Sequence, residues 1–476
     1  MPRLNRDILY LIFEELQDDK KTLHSCLTVN KVWCEIIIPI LWKNPWKHLK
    51  GNKLEKKLFL NIIISHLSDV SDNNLKSQGV YPLKNFHQKP LFDYISFCRY
   101  LNLNILDETI DTDDNIDNKS VFTIVRREIL NLFINENTIL THLHIPRQFD
   151  YPIHLIPGAN LCFSKLEFLS CNANINDNIL IGLTELCKPI KELELIVEKN
   201  NNNYGIIKLI EITKRLLNIR ILTTRYTRHD ESFYKILEDS LIKHSNSIRD
   251  FKITKKPITK IISSFVNLNK IDLKVTGVTN KTTWDCLENL SLPYLQILKA
   301  KGVPIKVLTN LIENTKGSLI KIKIDWTSNN EVDNKIIIRT IYQNCLKLEY
   351  LKLLFRSNNI LELENLLINC QYLNGLHIIV DNSFLWGGDL FDWNYLFEVL
   401  IRSSPTGLFK FKFHFEEPPK LESLKLFLDN WKNRHFMLLQ TIDASYLYDD
   451  WDKYHDMIEK YKALGIVKKY NHIGYY

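Results

Sequence analysis

Apolar and polar residues alternate along this chain in two rhythms. Near the amino end, Ile8, Leu9, Ile12, Phe13 and Leu16 recur at steps that place them on one helix face, and Asn5 stands where it caps the start. Asp18 and Asp19 open a second helix, where negative charge suits the backbone dipole, and Leu23, Cys26 and Leu27 share its face. A third segment carries Trp33, Ile36, Ile37, Ile40 and Leu41. Three short helices over residues 4–42 follow from this pattern. They have too small a common core for strong independent stability, and more apolar residues than they can hide. Some are therefore expected to face a partner, as the anchors of an amphipathic helix do. Helical periodicity returns at Lys53–Leu67 and Leu91–Leu103. Asp107–Asp117, with six acids in eleven positions, reads as a solvated mobile loop.

From residue 140 the rhythm becomes apolar-x-x-apolar-x-apolar. Copies start at Leu140, Leu166, Ile190, Ile219, Ile248, Leu268, Leu295, Leu319, Leu348, Leu373, Leu408 and Leu439, twelve in all and a mean of about 27 residues apart. A short strand recurring every 20–29 residues or so is the signature of a leucine-rich repeat. Helix-like stretches separate the strands: Tyr204–Leu217, Glu231–His244, Ile305–Asn314, Lys335–Cys345, Leu361–Cys370 and Trp393–Ser403. Strand then helix at a steady period predicts an α/β solenoid, with parallel strands on the concave face and helices on the convex face. Many such repeats place Asn or Cys after the strand; here Asn174 is the one good candidate, so an irregular array is expected. A helix over Asp452–Leu464 is expected to close the far end. The expected organisation is a helical block over 1–45, a helical linker region over 46–137 holding the acidic loop 107–117, about 12 repeats over 138–446, and a helical cap over 447–476.

Strand side chains alternate between faces, so the residues flanking the two last apolar positions of each motif point to the concave wall. In the six repeats from Ile219 to Leu348 these positions number eighteen. Nine are basic: Arg225, Lys252, Lys270, Lys274, Lys299, Lys301, Lys321, Lys323 and Lys352. Three are acidic, Asp250, Asp272 and Asp325, and the rest are Ile221, Thr223, Thr254, Ile297, Tyr350 and Leu354. Half is a clear enrichment over the 62 Lys and Arg in 476 residues of the whole chain. Lysines keep exposed strands soluble, which is the bland account. Like charges facing each other across neighbouring strands cost roughly 0.2–1 kcal/mol per pair, which favours an acidic ligand instead. The basic residues together with Tyr350 are the candidate ligand-binding face, for an acidic or phosphorylated protein segment or an anionic cofactor.

Composition narrows the chemistry. Glycine is scarce, 14 in the chain, and no glycine-rich phosphate loop or nucleophile elbow occurs. No catalytic residue is assigned and no enzyme or cofactor is expected. The nine cysteines are scattered, no two closer than eight positions, which fits buried thiols in a reducing compartment better than a zinc or redox site. His142 and His144 are two apart but have no third ligand at suitable spacing, so no metal site is expected. The cluster Phe384, Trp386, Phe391, Trp393 and Phe397 is read as packing of a long repeat. A net charge of +7 over this length does not imply nucleic acid. No apolar run approaches the ~20 residues that span a bilayer, and the first residues lack the continuous apolar run of a signal peptide. Cytoplasm and nucleus are the expected compartments.

The amino-terminal segment LNRDILYLIFEELQDDKKTLHSCLTVNKVWCEIIIPILWKNPW resembles an F-box, matching over about forty residues. The matching elements are Leu4, Ile8-Leu9, Ile12-Phe13, Leu16, the Leu23/Cys26/Leu27 face, Val29-Asn30-Lys31, Trp33 and Leu41-Trp42. One departure is Leu4-Asn5, where the family usually has Leu-Pro. With the repeats behind it, the chain resembles fungal-type F-box proteins with leucine-rich repeats. The resemblance implies binding to a Skp-type adaptor, and through it a cullin, in a ubiquitin ligase whose target sits on the repeats. Leu4, Ile8, Leu9, Ile12, Phe13, Leu16, Leu27 and Trp33 are the adaptor anchors it implies. The competing reading is a non-ligase interaction scaffold whose amino-terminal helices only cap the solenoid.

Overall fold

Three side-chain oxygens start the three amino-terminal helices. Asn5, Asp19 and Asn30 accept from the backbone N–H groups of Asp7, Thr22 and Trp33, capping α1 (Arg6–Glu15), α2 (Lys20–Leu27) and α3 (Lys31–Trp42). These positions are seen in a computed structural model, which describes residues 5–474 except 50–51, 78–89, 114–115, 117–118, 188, 199–201, 224–230, 276–283, 288, 326–329, 381–390, 416 and 444–450. The chain divides into two units, Met1–Ser240 and Leu241–Tyr476. Both are α/β, with parallel strands and intervening helices in the manner of a solenoid.

In the first unit α1, α2 and α3 close on a small core of Leu9, Phe13, Leu23, Ile36 and Ile37. Trp42 at the end of α3 stacks on Phe59 and Tyr94 (ring centroids 5.5 and 4.7 Å), which fastens the block to the next stretch of chain. Among the described residues of this unit five strands then pair in chain order, all parallel: β1 (Tyr100–Asn102), β2 (His142–His144), β3 (Phe168–Asn172), β4 (Glu192–Val197) and β5 (Asn218–Thr223). Leu101, Leu143, Leu169, Leu193 and Ile219 are in register across them and all are buried.

Three expectations fail in this unit. Lys53–Ile64 is a helix as expected, but Leu91–Leu103 is not. It holds a short 3-10 turn, Ile95–Phe97, and then β1, so pairing starts about forty residues ahead of the first motif. Leu101 is completely buried against Leu143, and that one side chain outweighs the helical spacing around it. The acidic segment is not a loop at its start. Asp107 and Glu108 lie in the helix Leu103–Ile110, paired with Arg126 (2.7 Å) and Lys56 (2.9 Å), and buried Asp113 lies 4.0 Å from Lys57. Burial lifts the Asp107 carboxyl to about 6 despite its arginine. Finally, the β5 motif is out of phase by three residues. Ile219, not Leu222, aligns with Leu193, so Ile221 is a core residue and Asn218 and Arg220 take the wall positions. Three apolar residues at 219, 221 and 222 allow either phase.

The second unit has the same kind of construction: among its described residues, nine strands pair in chain order, each parallel to the next. They are β6 (Asp250–Ile253), β7 (Lys270–Lys274), β8 (Ile297–Lys301), β9 (Lys321–Asp325), β10 (Tyr350–Phe355), β11 (Gly375–Val380), β12 (Lys410–Phe415), β13 (Met437–Asp443) and β14 (Val467–Gly474). The inward row runs Phe251, Ile271, Leu298, Ile322, Leu351, Leu376, Phe411 and Leu439, all within 2% of full burial. The helices Ile305–Glu313, Glu331–Asn344, Ile360–Asn369 and Trp393–Ser403 fall where expected to within a few residues and pack on one another in the same succession.

Two local features hold this succession in place. Fully buried Asn334 donates to the Leu354 carbonyl (2.7 Å) and accepts from Asn359 Nδ2 (3.0 Å), tying a helix to the turn of the next repeat. Gly302, with φ of +68°, follows β8 where a Cβ would run into the Val275 carbonyl. The expected helix near the end is present as Trp451–Ala463, but the chain does not finish on it: β14 adds a further parallel strand. That strand is polar at most positions, as an edge allows, and so carries no repeat motif.

Candidate functional site

Two surfaces hold the residues singled out by sequence. The first is on α1. Leu11 and Ile12 lie one helical turn on from Ile8 on its outer face, and Ile8, Leu11 and Ile12 are 47, 61 and 43% exposed. Leu9 and Phe13 point the other way. Both are buried, and Phe13 meets Trp33 edge-on at 5.1 Å. Leu16, Leu27 and Trp33 pack half-buried against the same core. Of the eight expected anchors, Ile8 and Ile12 are thus presented, while Leu9 and Phe13 serve the block itself because its core needs an aromatic and an aliphatic residue from α1. Leu4 lies outside the described residues. Leu11 was not among the expected anchors, although its spacing of three from Ile8 is the helical signal that places it beside them. Val29 and Val32, before and at the start of α3, are also about half exposed.

The second surface is the strand wall of the second unit. The alternation of faces holds there. Lys252, Lys299, Lys323 and Lys352 stand part-exposed between buried neighbours, and Lys274 and Lys301 are exposed. Register places Lys299 opposite Lys323 and Lys323 opposite Lys352, three lysines on consecutive strands. Two wall lysines are offset by acids: Lys270 by Asp250 at 2.7 Å, and Lys352 by Asp325. The Lys321 and Lys323 ammonium groups both sit 5.1 Å from the centre of the Tyr350 ring, whose negative face suits them. Partial burial, with neighbouring lysines added, holds the Lys299 and Lys323 amines below their ordinary range.

The wall continues past the repeats counted in sequence. Lys352 is in register with His377 and His377 with Lys412, and Lys410 and His414 flank the latter on β12. Extending the same alternation into GLHIIV and KFKFHF would have found them. His377 is 4% exposed, and its Nε2 has no hydrogen-bond partner among the described residues. Burial, then the cations Lys352, Lys412, His414 and Lys323, keep it neutral. Leu354, expected on the wall, is buried. Arg225 lies outside the described residues, and the wall of the first unit has a different character. There Tyr100 stacks on His142 (3.8 Å) and His142 on Phe168 (5.3 Å), and Arg220 pairs with Glu194 at 3.4 Å.

His142 and His144 thus belong to an aromatic stack, and no group of three or more metal-ligating side chains occurs among the described residues. No disulfide joins the nine cysteines; burial lifts the thiols of Cys98, Cys171, Cys187, Cys345 and Cys370 to about 12. Phe391, Trp393 and Phe397 are buried packing residues; Phe384 and Trp386 lie outside the described residues. Among the described residues no helix is long and apolar enough to cross a membrane. Compared with known proteins, the chain matches no family model and no curated protein.

Proposed function

We propose that this chain is the target-receiving subunit of a Skp–cullin–F-box ubiquitin ligase. In this reading α1–α3 dock on a Skp-type adaptor, and the strand walls receive the target. The chain performs no bond chemistry. By holding adaptor and target at once it raises the target's effective concentration near the ubiquitin thioester carried by the rest of the assembly.

One observation carries the proposal. The amino-terminal block has its own buried core, yet it leaves Ile8, Leu11 and Ile12 together on the outward face of α1. Helices that merely capped the first unit would pack those residues against it, as α3 packs Trp42. An aliphatic face kept out of its own core fits docking on a groove, with the exposed residues as anchors.

The test is co-purification of the full chain with a Skp-type adaptor at micromolar concentration. A stoichiometric complex is expected. No complex, with the protein folded and monodisperse, would remove the ligase reading and leave the interaction scaffold.

A further inference from the structure

We propose that the hollow between the turns that follow β3 and β4, in the first unit, binds a neutral sugar ring. The site stands apart from adaptor docking and from the strand walls, and it holds whether or not the chain serves a ligase.

Turns of two successive repeats build the hollow. β3 leads through residues 173–176 into the helix Asp177–Leu186, and β4 leads toward the helix Gly205–Ile212. Asn203 straps the two turns together. Its backbone N–H donates to the Ala173 carbonyl (2.6 Å) and its Nδ2 to the Ile175 carbonyl (2.9 Å). Between them lies an open space of about 610 Å³, lined in part by Asn174, Asn176, Asp177, Asn202, Asn203 and Tyr204. Sites for small molecules run to roughly 300–1,000 Å³.

Most of this lining serves the fold. Asn176 Oδ1 accepts from the Asn178 N–H (2.9 Å), Asn203 Oδ1 accepts from the Gly205 N–H (2.7 Å), and Asn202 bonds both backbone groups of Glu198 (3.1 and 2.9 Å). Asn174 is the exception. It follows β3 where a repeat asparagine would bond the backbone of the bend, yet its Oδ1 is buried with no hydrogen-bond partner among the described residues. Buried polar atoms are nearly always paired, so this oxygen is an acceptor awaiting a donor.

Charge excludes ionic occupants. Two helices begin at the hollow, and their positive dipole ends disfavour a cation. The Asp177 carboxylate at the mouth repels an anion, and the N–H groups of Asn178 and Gly205 are already taken. Calcium takes about six to eight oxygens, and the free ones here are Asp177 and Asn174 Oδ1. A neutral ligand rich in hydroxyls fits instead. Hydroxyls donate to Asn174 Oδ1 and to the Asp177 carboxylate, and accept from carboxamide N–H groups. Tyr204 supplies apolar ground for the C–H face of a pyranose: it is 50% exposed, and Phe233 meets its ring edge-on at 5.4 Å.

The experiment uses the full-length protein, with saturation-transfer NMR and calorimetry. The probes are glucose, mannose, galactose and N-acetylglucosamine, their methyl glycosides, protonated glucosamine, glucuronate and Ca²⁺. At least one neutral sugar is expected to bind, about tenfold or more tighter than either charged one. A methyl glycoside that binds as well as its free sugar supports the site with a glycan carried on another molecule as the source; binding of the reducing sugar alone supports it with a free metabolite. Asn174→Ala should weaken binding about fivefold and leave the thermal midpoint unchanged or higher, because no protein group loses a bond to Oδ1. Tyr204→Phe should bind like the parent and Tyr204→Ala about tenfold more weakly. Tyr372→Ala, exposed on the second unit, should change nothing. No binding of any neutral sugar at tens of millimolar overturns the site, as does tighter binding of a charged one. So does Asn174→Ala that melts earlier with binding intact, or Ca²⁺ that raises the midpoint by itself.

Discussion

Replacing Ile8, Leu11 and Ile12 by serine together isolates the docking face from the fold. Their exposures of 47, 61 and 43% leave about one and a half side chains' worth of aliphatic surface for a partner to cover. At ~2 kcal/mol per fully buried aliphatic side chain, docking gains about 3 kcal/mol from them, on the order of 100-fold in affinity. The triple variant should therefore bind a Skp-type adaptor about 100-fold more weakly by calorimetry. Its hydrogen-exchange protection over α1–α3 should stay near that of the parent, because the core of Leu9, Phe13, Leu23, Ile36 and Ile37 is untouched. Phe13→Ala should give the opposite signature. Phe13 is 2% exposed, and truncating a buried phenylalanine costs ~3–5 kcal/mol, more than a three-helix block of this size can lose. That variant should lose protection across α1–α3 while the remaining strands keep theirs. A triple variant that binds within threefold of the parent would refute the reasoning, as would one that melts the block.

Three further outcomes concern stability. Asn334→Ala leaves the buried Leu354 carbonyl and Asn359 amide short of a partner, and should lower stability by about 2 kcal/mol in urea denaturation. Gly302→Ala places a Cβ against the Val275 carbonyl at positive φ and should lower the thermal midpoint, by more than about 1 kcal/mol in stability. Stability should also fall as pH drops from about 6.5 toward 4. Burial holds His142 down to about 4 and lowers His144, His377 and His414, so the unfolded chain takes up protons that the folded one refuses. Asp107, lifted to about 6, opposes this over the same range, but it is one group against four. A midpoint flat between pH 7 and 4.5 would contradict the neutral burial of these rings.

Most of the strands were legible because a buried parallel strand needs two inward residues at a spacing of two, and Leu351 with Leu353 or Phe411 with Phe413 announce it whatever lies nearby. The features that stayed hidden depended on distant partners. Nothing near Asp107 shows that Arg126 will meet it. Nothing in Tyr100–Asn102 marks a strand until Leu143 is beside it. Polar β14 forms because β13 has an edge to pair. At the docking face the sequence predicted an apolar surplus without saying which residues would be left over. Helical spacing alone places Phe13 and Ile12 side by side, and only the positions of α2 and α3 decide that Phe13 turns inward. His377 falls on a wall position that the alternation marks, but a lone histidine does not show in sequence that Lys352 and Lys412 will stand on the strands beside it.

Within each unit, every strand after the first hydrogen-bonds the strand that precedes it in the chain. Assembly therefore need not wait for the carboxyl end. As the chain leaves the ribosome, each new segment finds its edge already laid down by the one before, and the polypeptide can be built up like courses of brick. A chain broken off early would be a shorter version of the same object, raw at its last course.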